Sequence, residues 1–465
     1  MKQTELFKIL SGERYTPYNL AKKLNAKAVL ESANYEKGKE RYSIILVKEA
    51  FQVCQSGNDF FMVTQGKRKK IKTNAKDILY LIEYFASQHK SIHQDIPFPA
   101  GGIGYVSYDF ARYCDWIRMK PVTDSPSPYD AAFIYGHIYL IYDHFSEHLY
   151  LLGMNYKEKS IDLEEAALEI ERRINDQDYN YLNKDDQVYP VADVKEIPQQ
   201  DEFLKSVGII KEEIIKGNLL QAVLSRRLEF ECDISGLEAY RRLRLNNPSP
   251  YMFYLDYGEY QIFGASPETH AKAEEGIVSI KPIAGTRRRG KTIGEDALLA
   301  EDLLSDEKER AEHIMLVDLA RNDIGRVCKP GTVQVESMME VEYFSHVMHI
   351  VSTVNGEVLP GKTAGDIVRA TFPAGTVSGA PKIRAIETID SLEPVSRGFY
   401  AGLVGYFAPG GTFDTCITIR SALKKGRKMT FQAGAGIVYD SDPEREYEET
   451  QEKMRALTET VGLEV

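Results

Sequence analysis

The chain has 465 residues, 43% of them apolar and 27% charged, with a net charge of −11. Length allows two or three ordinary domains. The acidic balance excludes a nucleic-acid-binding protein, which needs a basic surface, and means that an anionic ligand requires clustered Arg and Lys or a metal.

Residues 1 to about 155 read as mixed α and β. RYSIILV, FQVCQ, FFMVTQG and FIYGHIYLIYDH have the alternation and β-branched or aromatic content of strands. KDILYLIEYFASQ (Lys76 to Gln88) places Ile78, Leu81, Ile82 and Phe85 on one helical face. A helix is predicted around Ile161 to Ile174, followed by a polar, aperiodic boundary over Asn175 to Gln200. The expected regions are therefore 1–190 and 200–465. Beyond the boundary the prediction is helix DEFLKSVGIIKEEIIKG, strand LLQAVLSRRLEFE, helix SGLEAYRRLRLNN, and strands MFYLDYG, YQIFGAS and GIVSIKPIAG. A single long helix is predicted from Gly294 to about Arg321. Strands near Val333 and His349 follow, then the loop and helix of TFPAGTVSGAPKIRAIETIDSLE, strands near Val404 and Ile417, strand MTFQAGAGIVYD and a terminal helix from about Pro443. Hairpin connections dominate, so the expected fold class is α+β: large antiparallel sheets packed together with helices on the outer faces.

The loop Gly375 to Lys382 feeds a helix on which Ile383, Ile386, Ile389 and Leu392 share a face. Pro381 suits its first turn. Free backbone N–H groups there, with Lys382 beside them, predict a small-anion site over Thr376 to Lys382. PIAGTRRRG and QAGAGIVYDS likewise place small residues where backbone must approach something closely. On the terminal helix Glu446, Glu449 and Lys453 form one stripe, and Met454, Leu457 and Val461 the packed face. In Lys308 to Arg321, Glu312 directly precedes an apolar run and is expected to be buried near a partner charge, whereas Glu309, Glu448 and Glu452 read as solvated. Oxygen ligands on separate helices suit magnesium rather than zinc. Arg420 is either a structural ion pair or a carboxylate clamp. Two P-loop-like matches, GTRRRGKT and GEVLPGKT, are rejected: Pro360 removes an N–H from one and three arginines crowd the other.

The five cysteines, Cys54, Cys114, Cys232, Cys328 and Cys416, form no C-x-x-C pair, as expected in a reducing compartment. No run approaches the roughly 20 apolar residues of a membrane span, and MKQTELFKIL has no signal-peptide core. A cytoplasmic protein without membrane contact is expected.

From Asp201 onward the stretches QAVLSRR, NNPSPYMFYLDYGEYQIFGASPE, PIAGTRRRGKT, KERAEHIMLVDLARNDIGRV, MEVEYFSHVMHIVS, TFPAGTVSGAPKIRAIE, FDTCITIRSAL and QAGAGIVYDSDPEREYEETQEK resemble the chorismate-utilising enzymes. VLESA and GGIGYVSYDFARY extend the resemblance to the N-terminal part. It implies that Glu312 and Glu449 hold Mg2+, which binds the ring carboxylate of chorismate. It implies that Gly285, Thr286, Tyr400, Arg420, Gly434, Ala435, Gly436 and Lys453 bind the substrate. Glu268 would be the general acid for the departing C4 hydroxyl, with Gln221, His349 and Thr376 in the catalytic set. That acid must be raised from its usual pKa of about 4.3 to act near neutrality.

Isochorismate and salicylate synthases carry a lysine base at the position of Gln221, so ammonia is the implied nucleophile here. Ala284 in PIAGT leans to the anthranilate synthase branch over the aminodeoxychorismate synthases, which remain the alternative. The resemblance also implies a separate glutamine amidotransferase subunit supplying ammonia. Tryptophan would act as an inhibitor at Ser32, Pro250, Tyr251 and Met252, with Val29 where the family usually has leucine. A reading of a different class is a tryptophan-responsive binding module without turnover.

Overall fold

The computed structural model describes residues 3–32, 41–91, 95–176, 187–344 and 347–463. Among them, 22 strands join in one hydrogen-bonded network in which every strand pairing is antiparallel, and eleven α-helices pack around it. This is the expected α+β class.

The elements that position the site are, in chain order, β1 (Ala28–Glu31), β2 (Gln221–Cys232), β3 (Tyr251–Asp256), β4 (Thr269–Glu274), α1 (Glu307–Gly325), α2 (Lys382–Leu392), β5 (Phe413–Ile417), β6 (Lys428–Ile437) and α3 (Pro443–Val461). β6 reads as an apolar and small-residue run because both its faces are covered, and it pairs with β2 from Ala222↔Ile437 to Glu231↔Lys428. α3 starts on the Asp442 side chain, which accepts from the Arg445 N–H, with Pro443 in its first turn. Its Met454, Leu457 and Val461 are buried, whereas Glu448 and Glu452 are exposed.

Strands from the two halves of the chain hydrogen-bond to each other. β1 pairs with β3, and Ile103–Val106 pairs with Leu403–Phe407. Phe51 and Tyr135 share one apolar core with Phe253 and Phe413. A second core joins Ile45 and Leu140 to Phe431 and Met454. Burial on this scale, at about 25 cal/mol per Å² of apolar area, is what holds the long sheet together.

Two predictions need correction. The helix expected from Gly294 to Arg321 is two helices, Ile293–Ser305 and α1. Asp306 breaks it: its backbone leaves the helical region, and its side chain accepts from the N–H groups of Lys308 at 3.0 Å and Glu309 at 3.2 Å. The boundary segment Asn175 to Gln200 is not wholly irregular either, because Val191–Ile197 adds to β2 as a further antiparallel strand. Its charged, largely exposed residues suit a strand edge and hide the alternation that identifies a strand.

Candidate active site

The glycines of β6 set the floor of the site. A side-chain carbon at Gly436 would lie 2.7 Å from Nε2 of Gln221, and one at Gly434 would lie 2.9 Å from both the Leu224 carbonyl and the Tyr400 hydroxyl. Only glycine lets the first residue of β2 and Tyr400 close over this strand. Gln221 is buried, and its Nε2 donates to Oε1 of Glu312 on α1 at 2.8 Å. Its Oε1 is buried and has no hydrogen-bond partner among the described residues.

Acidic groups arrive from two helices in i, i+3 pairs. On α1 Glu309 and Glu312 are both half-buried. Burial, with Glu312 adding to it, raises the Glu309 carboxyl, while Arg287 at 3.3 Å pulls the other way. On α3 burial raises Glu446, again with a neighbouring carboxylate, Glu449, adding to it. Oε2 of Glu446 is buried without a partner among the described residues. Glu449 pairs with Lys453 at 2.5 Å, and Nζ of Lys453 donates to the Gly434 carbonyl at 2.9 Å. Glu312, through Gln221, and Glu449, through Lys453, thus adjoin Gly434–Gly436. Among the described residues no three His, Cys, Asp or Glu side chains cluster closely enough to hold a metal unaided.

Glu268 lies between strand Gln261–Ser266 and β4 and is buried. Burial pushes its carboxyl up to about 7, against smaller opposing effects of the Thr376 hydroxyl and Lys453. A small cavity of about 30 Å³ lies against it, lined also by Thr269, His270, Asp323 and Thr376. His349 donates Nδ1–H to the Gly285 carbonyl at 2.8 Å, with Thr286 Oγ1 at 3.2 Å. Burial, and Arg420 in addition, hold its pKa below the usual histidine value. The ring is thus neutral, with Nε2 carrying the lone pair. Arg420 is half-buried and adopts φ 50°, a left-handed backbone that a non-glycine residue rarely takes. Burial lowers its guanidinium, with Tyr400 and Glu449 opposing. Burial pushes the Tyr400 phenol up to about 12.

Ser32, Pro250, Tyr251 and Met252 line a separate cavity of about 570 Å³, where β1 and β3 meet Tyr406 and Asp414. Ala33, which completes the VLESA stretch, lies outside the described residues.

The structure departs from the sequence expectation at the Gly375 to Lys382 loop and at Glu309. Lys382 does not lend a free charge to an anion loop: its ammonium pairs with Asp323 at 2.6 Å and donates to the Thr371 carbonyl at 3.3 Å. The loop backbone is partly used as well, since Gly379–Ala380 pairs with Gln221–Ala222. Pro381 is the cap preceding α2 rather than part of its first turn, and Ile383 is 40% exposed. Glu309 is not a solvated charge: it is half-buried and pairs with Arg287. Its i, i+3 spacing from Glu312 was the available signal.

An antiparallel α+β sheet with carboxylates from two helices over a glycine-lined strand defines the class. The chain belongs to the chorismate-binding enzymes, whose family pattern it matches over residues 33–459. It is 56% identical to anthranilate synthase component 1 of Spirochaeta aurantia, over 99% of this chain and 96% of that one. It is 40% identical to anthranilate synthase component 1 of Acetivibrio thermocellus, over 96% of this chain and 92% of that one. The crystal structure of anthranilate synthase component I from Streptococcus pneumoniae superimposes with a TM-score of 0.79 at 38% identity, covering 90% of this chain and 92% of that one.

Proposed function

We propose that this chain converts chorismate and ammonia to anthranilate, pyruvate and water. The observation that carries the reading is Gln221: an uncharged amide, held by Glu312, stands where a water-adding relative would need a base. An amide cannot deprotonate water, and ammonia needs no such activation.

In this reading Arg420 and Tyr400 hold the enolpyruvyl carboxylate, with the Gly434–Gly436 backbone beneath the ring. Ammonia adds to the ring at C2 as the C4 hydroxyl departs, and that oxygen takes its proton from Glu268, which is half protonated near pH 7. The added ammonium returns a proton to Glu268. The C2 proton then leaves to the lone pair on His349 Nε2, the ring C3–O bond to the enolpyruvyl group breaks, the released enolate takes a proton at its methylene carbon to become pyruvate, and the ring becomes aromatic. His349 suits this step because its Nδ1–H is committed to Gly285. Glu312 and Glu449 would hold Mg2+, with Glu446 near them on α3. The all-oxygen donor set and the partnerless Oε2 of Glu446 fit a hard cation. When bound, the ion would neutralise the ring carboxylate.

Ammonia drawn from glutamine would come from a separate amidotransferase subunit, a reading supported by the lack of a reactive thiol among the described cysteines. All five are free, and burial pushes Cys54 up to about 12 and Cys328 up to about 11. The large cavity would take tryptophan as a feedback inhibitor, through the apolar wall of Pro250 and Met252 and the Ser32 hydroxyl. The protein would work in the cytoplasm, and no helix among the described residues is long and apolar enough to cross a membrane.

The test is incubation with chorismate, magnesium and an ammonium salt at high pH. Anthranilate fluorescence is expected. Aminodeoxychorismate as product would replace this reading with the alternative aminating activity, and tryptophan uptake without turnover would leave a binding module.

A further inference from the structure

The large cavity and the small one against Glu268 share a wall. Successive residues of β5 face opposite sides, as strand geometry requires, so Cys416 lines the large cavity and Ile417 the small one. Across this wall β4 starts at Thr269, which lines the small cavity and pairs with Cys416. Besides the ladder, a side chain from the large cavity bridges the two strands. The Tyr251 hydroxyl stands 3.0 Å from Thr269 Oγ1 and 3.0 Å from Asp414 Oδ1, and both Tyr251 and Asp414 line the large cavity. A carboxylate only accepts, so Tyr251 donates to Asp414 and Thr269 donates to Tyr251.

Thr269 directly follows Glu268 in the chain. The Glu268 carbonyl accepts from the Ile417 N–H at 3.0 Å, and its N–H donates to Ser266 Oγ at 3.3 Å. The ladder between β4 and β5 slips register between Thr269 and Ala271, so the segment carrying the acid sits on an irregularity that can shift without unpairing the sheet.

We propose that Tyr251 is a positioning residue for Glu268, and that through its bonds to Thr269 and Asp414 a ligand in the large cavity controls the acid's placement. A ligand bearing an ammonium group competes with Tyr251 for the Asp414 carboxylate. Releasing Tyr251 frees Thr269 and lets Glu268 move off the C4 hydroxyl. The inference rests on the proposed role of Glu268 and on the proposed tryptophan site.

The experiment uses the whole chain, with an ammonium salt as the amine source. Tyr251→Phe keeps the ring in the cavity but removes both hydrogen bonds. It should lower kcat with little change in the KM for chorismate. Calorimetry should still register tryptophan binding to Tyr251→Phe. Coupling between tryptophan and turnover, roughly 5–150-fold in typical allosteric proteins, should fall in the variant to within about threefold. Thr269→Val, which loses the hydroxyl but leaves the Tyr251–Asp414 bond, should behave alike. Asp414→Asn keeps an acceptor and should retain kcat, whereas Asp414→Ala should not.

Inhibition of Tyr251→Phe as complete as that of the unmodified chain overturns the control. Unchanged kcat in Tyr251→Phe and Thr269→Val overturns the positioning. Absence of tryptophan heat with the unmodified chain sinks the feedback reading instead, and kcat in the same variants still judges the positioning.

Discussion

The candidate active site and the large cavity on the far side of β5 use the same sheet in different ways. Around β6 most polar groups are already paired, Gln221 with Glu312, Glu449 with Lys453, and Lys453 with Gly434, while Gln221 Oε1 and Glu446 Oε2 have no partner among the described residues. The free volume against Glu268 is about 30 Å³. The large cavity has about 570 Å³, and its walls come from strand ends of both halves of the chain. Reaction chemistry gains from dipoles fixed before the substrate arrives and from a dry carboxyl whose proton stays on. Holding a ligand reversibly needs volume, apolar surface and a few polar anchors.

The contrast can be broken most forcefully at the acid. Glu268→Gln, which keeps the size but cannot deliver a proton, should lower kcat by about 10²–10⁴-fold, measured by anthranilate fluorescence with the far-UV spectrum unchanged. Turnover corrected for free ammonia should fall as pH rises through about 7 in the unmodified chain, as Glu268 loses its proton. Arg420→Ala should cost about 2–5 kcal/mol of chorismate binding if the guanidinium pairs with a buried carboxylate. An unchanged KM would remove it from that role.

On the other side of β5 the expected effects are smaller. Ser32→Ala should weaken tryptophan binding by about 1 kcal/mol, the loss of one hydrogen bond, leaving kcat without tryptophan intact. The smallest effect concerns stability. Glu268 has its folded pKa raised from 4.5 to about 7, so the folded state favours the protonated form. Its contribution is full below pH 4.5 and is lost as pH rises through about 7. Glu268→Gln removes that loss, so the variant should melt about 1–2 °C higher than the unmodified chain at pH 8, with the gap closing at pH 5.

Periodicity made the helices carrying the site legible. The Met454, Leu457 and Val461 stripe is buried, and Glu448 and Glu452 point to solvent, because a 3.6-residue repeat fixes which side chains share a face. The break at Asp306 was harder to see, since Asp also occurs in first turns and the apolar pattern resumes beyond it. Glu309 was misread because one face of α1 meets strands Ile283–Arg288 and Val347–Glu357, so burial there depends on partners rather than on the helix's own pattern. Lys382 was misread for the same reason: Asp323, 59 positions earlier, claims it.

By itself the sequence determined the residue types, the turn positions and the faces of α3, since these follow from local sterics and from the repeat of the helix. It also put an amide rather than an amine at position 221. Only the tertiary structure decided that Gln221 meets Glu312, 91 positions away, and that one strand separates the two cavities. It alone decided that burial raises the Glu268 carboxyl to about 7. Hydrogen bonding and desolvation depend on which atoms end up within a few ångströms, and chain order does not encode that distance until the sheet has closed.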